Sequence, residues 1–199
     1  FVQDIQSSGQ HLLGIINDIL AMAQSESGKL QLAVETADLN RLVADCGAMA
    51  SDDFAKADVS LEVAPADGPA TALIDPVKVR QAVLNLLSNA AKFTRAGGKA
   101  RIAVGRHEDG RPTIAVSDDG IGMRPEDIPL ALSPFGQVDS RLSRKYQGTG
   151  LGLTLAKVIV ELHGGSLEIA SRLGAGTTVT MVLPDRAWDM DGAALSLAS

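Results

Sequence analysis

Residues 75–92 write out one capped, two-faced helix, and those faces limit what the rest of the chain can be. Asp75-Pro76 opens it: an N-cap aspartate, then proline at the first helical position, where the missing N–H costs nothing. Val79, Ala82, Val83, Leu86, Leu87 and Ala90 share an apolar face that needs a core against it. Asn85, Asn89 and Lys92 stand at i, i+4 and i+7, so they line a different face. Two amide oxygens and an ammonium group in a row suit a magnesium–phosphate assembly, with hard oxygen ligands for the cation and a point charge for the phosphate. Taken alone, the same row also reads as a solvated polar face.

The elements around this helix do not alternate as regular βαβ units. Leu30–Val34 and Val59–Val63 alternate like strands, and Asp38 is expected to cap a helix over about 39–56. A loop holding Pro65, Gly68 and Pro69 leads to a short apolar stretch at 71–74. Gly97-Gly98 turns the chain into two strands, 99–107 and 112–118, joined as a hairpin through Asp109-Gly110. Residues 124–149 are polar, basic and poorly periodic, too long for an ordinary connection. A helix over 151–163 is followed by His163-Gly164-Gly165 and strands near 166–170 and 177–183. This order predicts an α+β fold, an α/β sandwich whose largely antiparallel sheet is covered by helices on one face.

Residues 1–26 read as a further helix. Ile5, Leu12, Ile16, Ile19 and Ala23 keep a heptad-like spacing, and Leu13, Ile15, Leu20 and Met22 widen the stripe, as in a helical bundle. Gly28 suits its left-handed end. The helix starts without an N-cap, so the expectation is a segment cut between this helix and a partner. The tail after Pro184 has no strong pattern and is expected to be flexible.

Composition closes off several function classes. Aromatic residues make up 3% and the net charge is −6, so neither stacking platforms nor a basic face is supplied and nucleic acid is not an expected partner. There is no apolar run of about 18 residues, and no membrane contact is expected of this segment. Cys46 is the only cysteine, which excludes an internal disulfide and a cysteine-cluster metal site. A reduced, cytoplasmic setting is the expectation, in a full-length protein that could itself be membrane-anchored or polarly localised.

Three more segments carry chemistry. In Val116 to Met123 an apolar strand ends at Asp118, and Gly120 and Gly122 let the backbone turn and approach closely. A carboxylate at a strand end can accept a hydrogen bond from an exocyclic amine such as that of adenine; the plainer reading is an Asp-Gly turn. Gly148-Thr149-Gly150-Leu151-Gly152-Leu153 opens a helix, and converging N–H groups at a helix N-terminus favour a phosphate. With Leu153 where a dinucleotide fingerprint needs glycine, it is not that pattern, nor is it a P-loop. Pro134-Phe135-Gly136-Gln137, followed by Arg141, Arg144 and Lys145, places one aromatic and several cations in the long loop. There the phenyl ring can latch a closing loop and the cations can meet phosphates.

In this order and spacing, the four segments make residues 30–183 resemble the catalytic, ATP-binding domain of sensor histidine kinases of two-component systems. They correspond to that family's N box (Asn85–Lys92), G1 box (Asp118–Gly122), F box (Pro134–Gln137) and G2 box (Gly148–Gly152). Ser8 to Leu13 and Ile16 to Leu20 are similar to the second helix of the dimerisation and phosphotransfer hairpin. Arg144 to Leu153 fits the cell-cycle kinases of alphaproteobacteria.

The resemblance implies the Bergerat, or GHKL, ATP-binding fold preceded by one bundle helix. It divides the chain into a partial dimerisation helix (1–28), a catalytic ATP-binding domain (29–184) and a tail (185–199). ATP and Mg2+ are the implied cofactors. Asp118 would hold the adenine amino group. Asn89 would coordinate Mg2+, with Asn85 supporting it and Lys92 on phosphate oxygens. Gly120 and Gly122 would permit close approach. Gly148, Thr149, Gly150, Leu151 and Gly152 would cradle phosphate beneath a lid over 124–149 that carries Lys145 and is anchored by Phe135. Thr177, after Gly176, would lie near the adenine pocket. The implied partners are a response-regulator receiver domain and a second copy, joined through the helical hairpin.

One position separates relatives by chemistry. ATPases of the shared fold carry a glutamate general base where Asn85 stands, and an amide cannot take a proton from water. A neutral histidine is already a nucleophile, so the residues left in this row favour phosphotransfer over hydrolysis. The family's phosphoacceptor motif is absent from the chain. His11 falls on the second bundle helix, His107 at a hairpin end and His163 before a glycine turn, where a structural role is expected. Ser133, Gln147 and Asp119 depart from the residues common at their positions. The competing reading is a pseudokinase or scaffold that keeps the fold and signals by binding a protein.

Overall fold

Two aspartates start the two long helices. The structure is a computed structural model that describes residues 32–136 and 150–184. Strand β1 (Glu35–Asp38) runs into helix α1 (Leu39–Ala57), where the Asp38 carboxylate accepts from the N–H groups of Asn40 and Arg41. Strands β2 (Ser60–Ala64) and β3 (Thr71–Ile74) lead to helix α2 (Pro76–Phe93), where Asp75 Oδ1 accepts from Val77 N at 3.0 Å and Lys78 N at 3.1 Å. Each cap satisfies donors that the first turn of a helix leaves unpaired.

Strands β4 (Lys99–Arg106) and β5 (Pro112–Asp118) form the expected hairpin. A 3-10 turn (Pro125–Asp127) and a one-turn helix α3 (Ile128–Ala131) occupy part of the long loop, a detail its poor periodicity concealed. Helix α4 (Gly152–Leu162) and strands β6 (Ser166–Arg172) and β7 (Gly176–Val182) complete the described chain. The main sheet has the order β2-β4-β5-β7-β6, with β2 and β4 parallel and the other pairs antiparallel. β1 and β3 form a separate antiparallel pair.

Register explains which face holds the core. Ile102, Val116, Val179 and Ile169 form one cross-strand rung, and Val104, Ile114, Met181 and Leu167 the next on the same face. These side chains join one hydrophobic cluster with Phe54 of α1, Leu86 and Leu87 of α2, and Leu155 and Ile159 of α4. The opposite face, with Arg101 and Ala103 on β4, is polar or small and is left uncovered by the helices. Antiparallel sheets tolerate this one-sided solvation.

The strand expected over Leu30–Val34 is a correction: residues 32–34 are not in a strand, and the pairing falls on 35–38. Alternation in the sequence did not set the register. It is set where Asp38 caps α1, where Leu39 N donates to Ala70 O at 2.8 Å, and where Ala33 N turns aside to Asp75 Oδ2 at 3.0 Å. Cys46 is fully buried in α1, and burial pushes its thiol up to about 11, with Arg80 opposing and Asp45 adding. Residues 1–31 and 185–199, with the proposed bundle helix and tail, lie outside the described residues.

His163 is structural, as expected from its place before a glycine turn. Its Nε2 lies 2.9 Å from Asp75 N, which can only donate, while Nδ1 lies 2.7 Å from the Ile159 carbonyl, which can only accept. That pairing requires the neutral ring with its proton on Nδ1. Burial lowers the histidine pKa, the Ile159 carbonyl and Asp75 opposing. The unfolded state therefore takes up a proton first as pH falls, and this contribution to stability, complete above about pH 6.5, is lost below it. His163→Leu, by orphaning the buried Asp75 N–H, should cost about 1–3 kcal/mol at pH 7.5. The wild-type advantage should shrink at pH 5.5 in urea unfolding; a difference independent of pH would refute the neutral, acceptor role of Nε2.

Candidate functional site

The apolar rungs of the sheet give way at one end to a polar one, Ala100–Asp118–Thr177–Ser171, on the same helix-covered face. Asp118 ends β5, and its Oδ1 accepts from Gly120 N at 2.9 Å. Burial pushes its carboxyl pKa up; the Gly120 and Thr177 N–H groups pull it down but do not cancel burial, and Asp119 adds to the rise. A half-buried carboxylate with few charged neighbours is suited to accept a hydrogen bond from a ligand.

The segment after Asp118 is clamped from two sides. Ile121 N donates to Phe93 O, the last residue of α2, and Gly174 N donates to Ile121 O across the β6–β7 turn. Two glycines make this packing possible. Gly122 has φ 58 and a Cβ there would collide with the Arg172 carbonyl; Gly176 has φ 91 and a Cβ would collide with the Asp118 carbonyl. The Phe93–Ile121 bond brings the Lys92 end of α2 to the Asp118 segment.

Along α2, Asn85, Asn89 and Lys92 are half-buried, while Leu86, Leu87 and Ala90 are buried in the core. Asn85 faces the start of α4: a Cβ built on Gly152 would sit 3.5 Å from Asn85 Cβ. Among the described residues Asn85 Nδ2 is buried with no hydrogen-bond partner, which leaves a donor at this junction. Helix α4 differs from α1 and α2 in having no side-chain cap. Gly150 adopts φ 69 just before it. An uncapped helix N-terminus beside an amide donor is a favourable place for an anion. Leu151 is fully buried, so only its backbone could reach a ligand.

Thr154 Oγ1 donates to Leu132 O at 3.1 Å and ties α4 to the loop before it. Phe135 has φ 60 and is 62% exposed, so its ring is not seated in an apolar patch here. Gly136 and Gly150 meet across the base of the loop, a Gly150 Cβ lying 2.9 Å from Gly136 O. Gln137, Arg141, Arg144, Lys145, Gly148 and Thr149 lie outside the described residues, as does His11. Of the other histidines, His107 contacts Asp109 at 2.9 Å and Glu168 at 3.3 Å, and its pKa is raised chiefly by the Asp109 hydrogen bond.

The structure therefore sets Asn85 against Gly152, groups Asp118 with Gly120 and Thr177, and ties the Phe93 end of α2 to Ile121, with Asn89 and Lys92 on the same helix face as Asn85. Sequence reasoning missed Ser171, which shares the polar rung. Its only signal was strand register, invisible until β6 and β7 are paired.

Among the described residues no group of three or more histidine, cysteine, aspartate or glutamate side chains could hold a metal. A cation here would rely on amide oxygens such as that of Asn89 and on phosphate oxygens of a ligand. Magnesium keeps waters and substrate phosphates as ligands, and an amide oxygen is a hard donor that can join them.

Residues 74–187 match the family model of histidine kinase-, DNA gyrase B- and HSP90-like ATPases. The chain belongs to this family. It is 41% identical over 191 residues to the non-motile and phage-resistance protein of Caulobacter vibrioides, covering 94% of this chain and 22% of that one. It is 38% identical over 188 residues to the circadian input-output histidine kinase CikA of Synechococcus elongatus, covering 94% and 25%. To the histidine protein kinase DivJ of Caulobacter vibrioides it is 38% identical over 184 residues, covering 92% and 30%. The chain thus spans a quarter or so of the curated relatives it matches. Among solved structures, full-length ShkA in complex with AMPPNP aligns with a TM-score of 0.77 at 25% identity, covering 92% of this chain and 39% of that one. The histidine kinase AdeS of Acinetobacter baumannii shares the fold, with a TM-score of 0.72 at 20% identity over 92% of this chain and 84% of that one. The α+β fold expected from the sequence is that of this family.

Two glycines isolate the value of close packing at the site. Gly110 has φ 90 with open space around it, and Gly176 has φ 91 with the Asp118 carbonyl in the way. Alanine at Gly110 should cost about 1 kcal/mol of backbone strain, and alanine at Gly176 at least about 1 kcal/mol more. Urea unfolding of the two variants measures the difference; equal losses would show that the Gly176–Asp118 approach is not tight.

Proposed function

We propose that this domain binds Mg2+–ATP and supplies the catalytic half of a sensor histidine kinase. The observation that carries the reading is the junction of α2 with α4, where the unpartnered Asn85 Nδ2 meets a helix N-terminus that has no side-chain cap. In this reading Asp118 accepts a hydrogen bond from the adenine amino group. Gly120 and Gly122 let the backbone approach the base, with Thr177 beside it. Asn85 and the first turn of α4, from Gly150 to Gly152, hold phosphate oxygens. Asn89 contributes an amide oxygen to the cation and Lys92 a charge to the phosphates. When bound, Mg2+ neutralises and orients the phosphates. Lys145, Gly148 and Thr149 are proposed to complete the phosphate cradle, and Phe135 to anchor the loop.

In the full-length protein the γ-phosphoryl group would pass to a histidine outside this chain. The P–O bond to the ADP leaving group breaks as the P–N bond to the imidazole forms, and an aspartate of a response-regulator receiver domain receives the group next. Asn85, lacking a carboxylate, leaves water unactivated at this position, which supports transfer over hydrolysis. Residues 1–28 are assigned to a dimerisation helix, 29–184 to the ATP-binding domain and 185–199 to a tail, and two copies would join through the helical hairpin. No helix among the described residues is long and apolar enough to cross a membrane.

Asp118→Asn should weaken AMPPNP binding by at least tenfold in calorimetry, because the buried acceptor is replaced by an amide that can present a donor to the base amine. Wild-type affinity should fall as pH is lowered through the raised pKa of Asp118, since only the carboxylate accepts without offering a proton. The fall should begin at a higher pH than an ordinary aspartate would give and be absent in Asp118→Asn. Undiminished affinity in that variant would refute the adenine assignment.

A further inference from the structure

Beyond the residues that reach a nucleotide, we propose that Ser171 is a positioning residue that fixes both walls of the base pocket. The inference rests on the nucleotide reading above and adds to it a residue that touches no ligand. Ser171 stands on β6, two strands from Asp118, in the rung Asp118–Thr177–Ser171.

Its hydroxyl makes three contacts. Oγ accepts from Met123 N at 2.9 Å, donates to Gly176 O at 3.1 Å, and lies 2.9 Å from Thr177 Oγ1. A serine hydroxyl has one proton and two lone pairs. With the proton on Gly176 O and one lone pair taken by Met123 N–H, the Thr177 hydroxyl donates to the other and all three are used. Oγ thus joins the far end of the 119–123 segment to the Gly176–Thr177 pair. Thr177 is in turn the ladder partner of Asp118, and its N–H helps to lower the carboxyl pKa. Ser171 acts on Asp118 through Thr177, and on Gly120 and Gly122 through Met123.

Nothing else in the described chain replaces these bonds. Met123 has left the strand, Gly122 holds φ 58 against the Arg172 carbonyl, and Gly176 holds φ 91 against the Asp118 carbonyl. Glycine reaches both φ values without strain, so the backbone there has many alternatives and neighbouring hydrogen bonds must select this one. Removing the hydroxyl leaves the Met123 N–H and the Thr177 hydroxyl short of a partner and releases the pocket walls from each other. The fold, whose apolar rungs lie further along the sheet, keeps its core.

The experiment compares wild type, Ser171→Ala, Ser171→Thr and Asp118→Asn by calorimetry with AMPPNP and with ADP, together with amide exchange of the unliganded proteins. Ser171→Ala should raise the Kd about 5- to 30-fold, by the same factor for both nucleotides because they share the base end, at unchanged stoichiometry. Exchange should quicken at Ile121 to Met123 and at Thr177 but not at Ile102 or Val116. Ser171→Thr, which keeps the hydroxyl, should restore most of the affinity. Unchanged affinity in Ser171→Ala beside a weakened Asp118→Asn overturns the role of Ser171 and leaves the nucleotide reading standing. A loss that appears as fewer binding sites, or that threonine does not restore, also overturns it. Wild-type protein that binds neither nucleotide at millimolar concentration removes the nucleotide reading itself.

Discussion

The position of helix α2 is the constraint on which the rest depends, and Asp75 sets it. One carboxylate accepts from Val77, Lys78 and Ala33, while the same residue's N–H donates to the neutral ring of His163 at the end of α4. Burial alone would raise the Asp75 pKa, but the N–H groups of Lys78, Ala33 and Val77 outweigh it and lower it. At the other end, the Phe93 carbonyl holds Ile121. An 18-residue helix fixed at both ends cannot slide or turn, so Asn85, Asn89 and Lys92 keep one place relative to Asp118.

The helices divide two tasks. α1 and α2 begin with aspartate caps that cancel the exposed donors of their first turns, and both serve the core. α4 begins without one, beside a buried amide that also lacks a partner. Stability would gain from a cap there, since each is worth about 1 kcal/mol. Leaving it out keeps the positive potential of that helix end uncancelled by a side chain. The glycines around Asp118 serve the same purpose in backbone form, giving up conformational freedom to bring carbonyls and turns close.

Much of the fold was legible because the signals were local. Asp38 and Asp75 before apolar-periodic runs start helices where expected, and Asp109-Gly110 makes the hairpin. The strand expected over Leu30–Val34 failed because a strand needs a partner, and β3 pairs with 35–38 instead. The one-turn helix after Pro125 escaped notice because four residues are too few to show a period. At the site, Asp118 ends its strand, Gly122 takes a positive φ, and Asn85, Asn89 and Lys92 share one face of α2, all placements that local spacing made legible. Ser171 looked like any strand serine, for its three contacts are made to residues distant in sequence or around a turn.

The sequence alone determined which residues could carry the chemistry: an amide row on one helix face, a carboxylate at a strand end, glycines before an uncapped helix. Those are properties of spacing within a single element, where 3.6-residue and two-residue periods place side chains without outside help. Only the tertiary structure decided that these elements meet. Strand register put Asp118, Thr177 and Ser171 on one rung, and the crossing of α2 with α4 set Asn85 against Gly152. Such pairings depend on contacts across long sequence separations, and no local pattern encodes them.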